Sequence, residues 1–131
     1  MSKQRIFRID LPLPPKELSP NWRGHWAQKA KAVKRYRELA HALSLANLRD
    51  RWPAALCQCT FTFKDARQRD KDNLLASMKA AFDGIADSGA VANDSGITHL
   101  PVLVQVDKAN PGVAVQMCKQ VRALHGVEVE I

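Results

Sequence analysis

Nothing in this chain approaches the roughly 20 consecutive apolar residues that a membrane-spanning helix needs. Its opening, MSKQRIFRID, also lacks the apolar stretch of a secretory signal. Cysteine is scarce. Cys57, Cys59 and Cys118 form no even framework and no C-x-x-C pair, which excludes a disulfide scaffold and a zinc site with four spaced ligands. The expectation is three reduced thiols, two of them facing a core, in a cytoplasmic protein that does not engage a membrane. Repeats, low-complexity tracts and long linkers are absent too, and 131 residues suit one domain with a real core, spanning 1–131.

What the chain does have is positive charge, unevenly placed. Residues 1–52 carry 12 Lys/Arg against 4 Asp/Glu, a balance of +8, whereas residues 53–131 carry 8 against 9, a balance of −1. A basic half joined to a near-neutral half with clustered aspartates points to a polyanion partner brought to a metal-binding spot. Charge alone does not separate a nucleic-acid binder from a basic protein with no such partner.

Residues 5–11 (RIFRIDL) alternate, with Phe7, Ile9 and Leu11 on one side, and read as a strand. The four prolines of PLPPKELSPN then impose an extended, stiff loop. From Trp26 to Leu48 the period becomes helical: Trp26, Val33, Tyr36, Ala40 and Leu43 share a face, and Lys31, Lys34 and Arg35 lie opposite. Those three cations form either a solvated face or a phosphate-contacting one. Residues 56–64 alternate again, with Cys57, Cys59, Phe61 and Phe63 inward. A basic loop from Lys64 to Lys71 leads to a second helix, expected from Asn73 to Asp87 and stopped by Ser88-Gly89. Residues 100–107 and 112–118 read as strands joined at an Asn110-Pro111-Gly112 turn, and 127–131 as a short edge strand. Residues 119–125 are ambiguous. The order implies an α+β fold: a small mixed or antiparallel sheet packed with two main helices.

Five of the thirteen acidic residues, Asp70, Asp72, Asp83, Asp87 and Asp94, fall between positions 70 and 94. On a continuous second helix Asp72, Lys79 and Asp83 line one edge, with Lys79 and Asp83 about 20° to either side of Asp72, beside an apolar stripe of Leu74, Leu75, Met78, Phe82 and Ile85. Asp72 suits an N-cap, and Lys79 with Asp83 suits a surface ion pair. Yet a cap does not need Asp70 as well, and Asn93-Asp94 follows a glycine turn able to fold back toward the helix start. Two aspartates at D-x-D spacing with a third from a later loop supply the few carboxylates that Mg²⁺ takes while keeping waters for a phosphate.

The residues of this region resemble the RusA-type endodeoxyribonucleases, Holliday junction resolvases of bacteria and their prophages. The matching pieces are L-P-x-P-P at Leu11 to Pro15, S-P-N…H-W at Ser19, Pro20, Asn21, His25 and Trp26, and R-D-x-D-N-L at Arg69 to Leu74. K-x-x-x-D-G-I from Lys79 to Ile85 and G-x-x-x-x-D-S at Gly89, Asp94 and Ser95 complete the set. Together they cover roughly residues 11 to 96.

The resemblance implies a RusA-like fold, Mg²⁺ held by Asp70, Asp72 and Asp94, and an essential lysine on the same helix. Many members place that lysine four residues after the second aspartate, where this chain has Ala76; Lys79 is the nearest candidate. Asn93 stands where a second aspartate is usual. The implied activity is paired nicking of four-way DNA by a homodimer, in DNA recombination and repair, leaving a 5′-phosphate and a 3′-hydroxyl. Expected DNA contacts are Arg67, Arg69 and Lys71 in the loop, Lys31, Lys34 and Arg35 on the first helix, and His25, which is alternatively a structural residue under the proline loop. Trp22 and Trp26 are expected to pack rather than stack on bases. Two other readings stand beside this one: a non-catalytic branched-DNA-binding module or prophage regulator that needs no metal, and a nuclease for flaps or forks.

Overall fold

A computed structural model describes residues 6–48, 50–124 and 127–130. The alternating segments become β1 (Ile6–Leu11), β2 (Ala55–Phe63) and β5 (Gly112–Lys119). β5 lies between the other two, antiparallel to both. Register puts the apolar positions in rows across the three strands: Phe7, Met117 and Cys57; Ile9, Val115 and Cys59; Leu11, Val113 and Phe61. All nine are buried. This one buried face is what the period-two pattern encodes.

The other edge of β2 pairs in parallel with β3 (Ile97–His99) and then β4 (Leu103–Val106). The sheet is therefore mixed, and the fold is α+β. The hairpin expected at 107–111 is not formed: β4 and β5 flank β2 and do not pair with each other. Alternation fixes which face of a strand is buried but does not choose its neighbour. The expected strand 100–107 is also shortened, because Pro101 has no N–H to give to a ladder and pairing resumes at Leu103. The C-terminal edge strand and the ambiguous segment before it become a two-stranded hairpin, β6 (Val121–Leu124) with β7 (Val127–Glu130).

Helix α1 (Trp26–Asn47) buries Tyr36, Ala40 and Ser44. Tyr36 donates its hydroxyl proton to the Pro12 carbonyl at 2.7 Å, which fastens the proline loop to the helix. The second helix is not continuous. It is α2 (Lys71–Ala76) followed by α3 (Lys79–Asp87). Ser77 turns its hydroxyl onto the Leu74 carbonyl at 2.6 Å, and the Met78 N–H bonds three residues back, to Leu75, at 3.0 Å. That tightened turn breaks the ladder, as a back-bonding serine favours. The shared edge expected of Asp72 with Lys79 and Asp83 therefore does not follow from helical spacing. Met78, Phe82 and Ile85 are buried, while Leu74 and Leu75 are half-buried.

Helices α1 and α3 meet closely at Gly84. A methyl there would run into the Arg37 carbonyl oxygen and come within 3.0 Å of the Ala40 Cβ. Beside this contact the Arg37 guanidinium grips Asp87 with two bonds of 2.6 and 2.8 Å, and it holds that carboxyl below the ordinary aspartate value. Among the described residues no helix is long and apolar enough to cross a membrane. Gly84→Ala is expected to overpack the helix interface and to cost about 1–3 kcal/mol of stability, seen as a lower urea midpoint; an unchanged midpoint would mean the helices separate at no cost.

Candidate functional site

The loop from Lys64 to Arg69 is shaped by its own charges. The Asp65 carboxylate accepts from the Arg67 N–H at 3.0 Å and from the Arg69 guanidinium at 2.9 Å, and these bonds hold its carboxyl below the ordinary range. Arg69 also donates to the Arg67 carbonyl at 2.8 Å and lies 3.7 Å over the Phe63 ring. Its donors are thus engaged with the loop, and its first role is to shape the approach to α2. Arg67 and Lys71 remain exposed.

The loop ends at Asp70, which N-caps α2. Its Oδ1 accepts from the N–H groups of Asp72 at 2.9 Å and Asn73 at 3.2 Å, leaving Oδ2 outside the cap. Asp72 occupies the first turn and is exposed, where the helix dipole favours a carboxylate.

Asp94 arrives from the other direction. Gly89, at φ +86, supplies the left-handed turn that ends α3. The chain is then fixed against the start of β2: the Trp52 N–H donates to Ala90 O at 2.8 Å and the Ala92 N–H to Trp52 O at 3.2 Å. A short 3-10 turn (Asp94–Gly96) follows and leads into β3. On this turn the Asp94 carboxylate meets the Lys79 ammonium at 2.5 Å, and Lys79 also reaches Asp83 at 2.8 Å. The chain does fold back after the glycine turn, but onto Lys79 and Asp83 of α3 and not onto the helix start where it was expected. Asp83, which sequence spacing marked only as one half of an ion pair, shares the lysine with Asp94. The ammonium holds the Asp94 carboxyl below its ordinary value, and the two carboxylates raise Lys79.

Asp70, Asp72 and Asp94 are not gathered into one set of ligands. Among the described residues no group of three or more His, Cys, Asp or Glu is placed to hold a metal ion. The acidic set is split into the Asp70–Asp72 pair at the start of α2 and the Asp83–Asp94 pair around Lys79.

An open groove of about 260 Å³ runs beside this second pair, lined in part by Pro20, Lys29, Ala76, Lys79 and Asp83. Ala76 and Lys79 thus border the same space, and Lys29 brings α1 to it. Lys31, Lys34 and Arg35 are exposed along α1. His25 is not under the proline loop. It is exposed and N-caps α1, its Nδ1 accepting from the Ala27 N–H at 3.1 Å, with its ring 5.6 Å from that of Trp26. Trp26 is 76% exposed, which overturns the packing role that helical periodicity assigned to it.

No family model matches the chain. It is similar to an uncharacterized protein of Xylella fastidiosa, 32% identical over 111 residues. That match takes in 73% of this chain and 66% of the relative.

In metal-free solution the Asp94 carboxyl, followed by carbon NMR, is expected to titrate below the ordinary 3.8, and Lys79→Met to return it toward that value. The sign for stability follows. A depressed carboxyl stabilises the fold above its unfolded value, and the contribution is lost as pH falls through the folded value. A wild-type titration at or above 3.8 would remove the ammonium from this place.

Proposed function

We propose that this protein is a Mg²⁺-dependent, structure-selective endodeoxyribonuclease of the RusA type. It would resolve four-way DNA junctions by paired nicks, as a homodimer, in recombination and repair. The observation that carries the reading is the meeting of Lys79 with Asp94. Two residues of the motif, fifteen positions apart, reach one another across a glycine turn, as a shared site requires.

The donor set suits magnesium in kind. Its members are carboxylates, exposed at Asp70 and Asp72 and half-buried at Asp94, and the place between Asp83 and Asp94 already accommodates a positive charge. Magnesium is commonly held by only one or two carboxylates, with waters and substrate phosphate oxygens completing its shell. The fit is therefore to an ion shared with bound DNA, not to a closed cage of three aspartates. Asp94 would hold such an ion beside Lys79, and Asp70 with Asp72 would hold a second one at the start of α2. When bound, Mg²⁺ supplies Lewis-acid activation of water and charge neutralisation at a phosphodiester.

The chain's own residues do the rest. Lys79 offers a point charge to the phosphoryl oxygens, where charge grows during displacement. Its place beside Ala76 on one groove allows it to serve for the lysine that many family members carry at that position. Arg67 and Lys71 flank the Asp70–Asp72 pair, and Lys31, Lys34 and Arg35 extend the positive surface along α1. Such contacts grip backbone phosphates without reading sequence. His25 adds an exposed imidazole at the end of the same helix.

The separation of the two acidic pairs favours a second reading, a branched-DNA-binding module without catalysis. One experiment separates them. A synthetic four-way junction incubated with Mg²⁺ is expected to be nicked, and EDTA to abolish nicking. Asp72→Asn is expected to lower the rate by about 100-fold or more while junction binding persists. Lys79→Ala is expected to cost about 100- to 1000-fold, and adding Ala76→Lys to restore part of it. Tight junction binding with no nicking under Mg²⁺ or Mn²⁺ would establish the module instead; flap and fork substrates run alongside fix the preferred structure.

A further inference from the structure

Every residue from Arg23 to Lys31 is exposed, so the first turns of α1 bury little of their surface. The burial of α1 begins with Ala32 and Val33 and is complete only from Tyr36. At the start of this helix Trp26 leaves 76% of its surface in water. A large aromatic ring that exposed is informative, because burial of such a ring is a main source of folding energy.

The ring is supported rather than loose. Trp26 opens α1, with His25 capping the helix and stacking at an interplanar angle of 26°. The preceding loop is tightly built: Gly24 lies so close to the Trp22 indole that a methyl at 24 would collide with it. Trp22 is half-buried and occupied by its own loop, so Trp26 alone presents an open face.

The surroundings select the occupant. From Leu18 to Arg37 the chain carries six basic residues and no acidic one. Arg23 and Lys29 stand three residues to either side of Trp26 in the chain, and Lys29, one turn along the helix, lines the groove that contains Lys79 and Asp83. An exposed aromatic face set among cations beside a phosphate-directed site matches single-stranded nucleic acid. Bases stack on the ring there, and the backbone runs along the charges.

We propose that Trp26, backed by His25, is a stacking platform for an unpaired nucleobase, with Arg23 and Lys29 holding the adjoining phosphates. The inference rests on the DNA-directed reading above and adds to it a preference for DNA with unstacked bases. A duplex offers no such base, whereas a branch point does. Trp26 would thus hold a displaced base one helical turn from the groove at the candidate site.

The test uses the full chain in EDTA, so that cleavage plays no part, titrated with oligothymidylate and read by tryptophan fluorescence. Wild-type emission is expected to be quenched on binding. Trp26→Ala is expected to abolish most of the quench and weaken binding by roughly 10- to 100-fold. Trp26→Phe, which keeps a ring, is expected to retain most of the affinity. Arg23→Ala and Lys29→Ala are expected to weaken binding and flatten its salt dependence while leaving the quench at saturation.

Trp26→Ala binding as well as wild type, or Trp26→Phe binding as weakly as Trp26→Ala, would overturn the platform. So would a wild-type protein that does not bind the oligonucleotide. A Trp26→Ala protein that changes its sedimentation but not its DNA affinity would make Trp26 a subunit contact and overturn it likewise. Junction nicking is scored separately. If nicking is absent while the Trp26 effects hold, the nuclease reading fails and the platform stands. If nicking is present with a silent Trp26→Ala, the platform fails alone.

Discussion

Strand β2 is the constraint on which the rest depends. It pairs with β5 along one edge and with β3 and β4 along the other, so both its backbone edges are satisfied by neighbours. Its inward residues Cys57, Cys59 and Phe61 are buried at 1% or less and anchor the three apolar rows. The candidate site hangs from its two ends. Beyond Phe63 the chain enters the loop that delivers Asp70 and Asp72. Beside Ala55, where β3 begins at Ile97, the preceding turn delivers Asp94. The acidic pairs are thus separate because they are suspended from opposite ends of one strand. Helices α2 and α3 carry the chain between them, and Lys79, at the start of α3, is where the two arms come nearest in function.

Much of this was legible in the sequence, because burial on one face leaves a periodic trace. β1, β2 and β5 follow from alternation, α1 from a helical stripe, and the Gly89 turn from a glycine placed after a helix. What was not legible depends on competition between local bonds. The helix break turns on one serine hydroxyl choosing the Leu74 carbonyl over water. The place of β4 turns on which edge of β2 remained open. Trp26 fits the apolar stripe of α1 by angle, yet angle does not say how far the sheet extends beneath the helix. Arg69 counts as a free cation in composition, but Asp65 and Phe63 engage it. In each case tertiary placement outweighed pattern.

The ion pairs divide into two kinds. Arg37 with Asp87 is bidentate and sits beside a close helix contact that backs it sterically. Its geometry is that of a fixed clamp. Lys79 is a point charge on a flexible stem, 68% exposed, shared between Asp83 and Asp94. Ion pairs open to solvent in this way contribute little to stability. Exchanging one partner for another therefore costs the fold little, and an arrangement so cheaply undone suits a place where charge must be traded.

Within each acidic pair the charge is relieved by a different neighbour. Four carboxylates drawn together with no cation would repel one another, and the nearest ammonium relieves that repulsion for Asp83 and Asp94. Asp70 and Asp72 find relief instead in the N–H groups and dipole of α2. Each pair thus has its charge offset by groups of the protein itself. A phosphodiester carrying its own cation would change this balance from outside. The added positive charge competes with the ammonium for Asp94, while the phosphate offers Lys79 a new anion. Both exchanges run in the same direction, so on the proposed reading the site would be completed by the DNA and its cation.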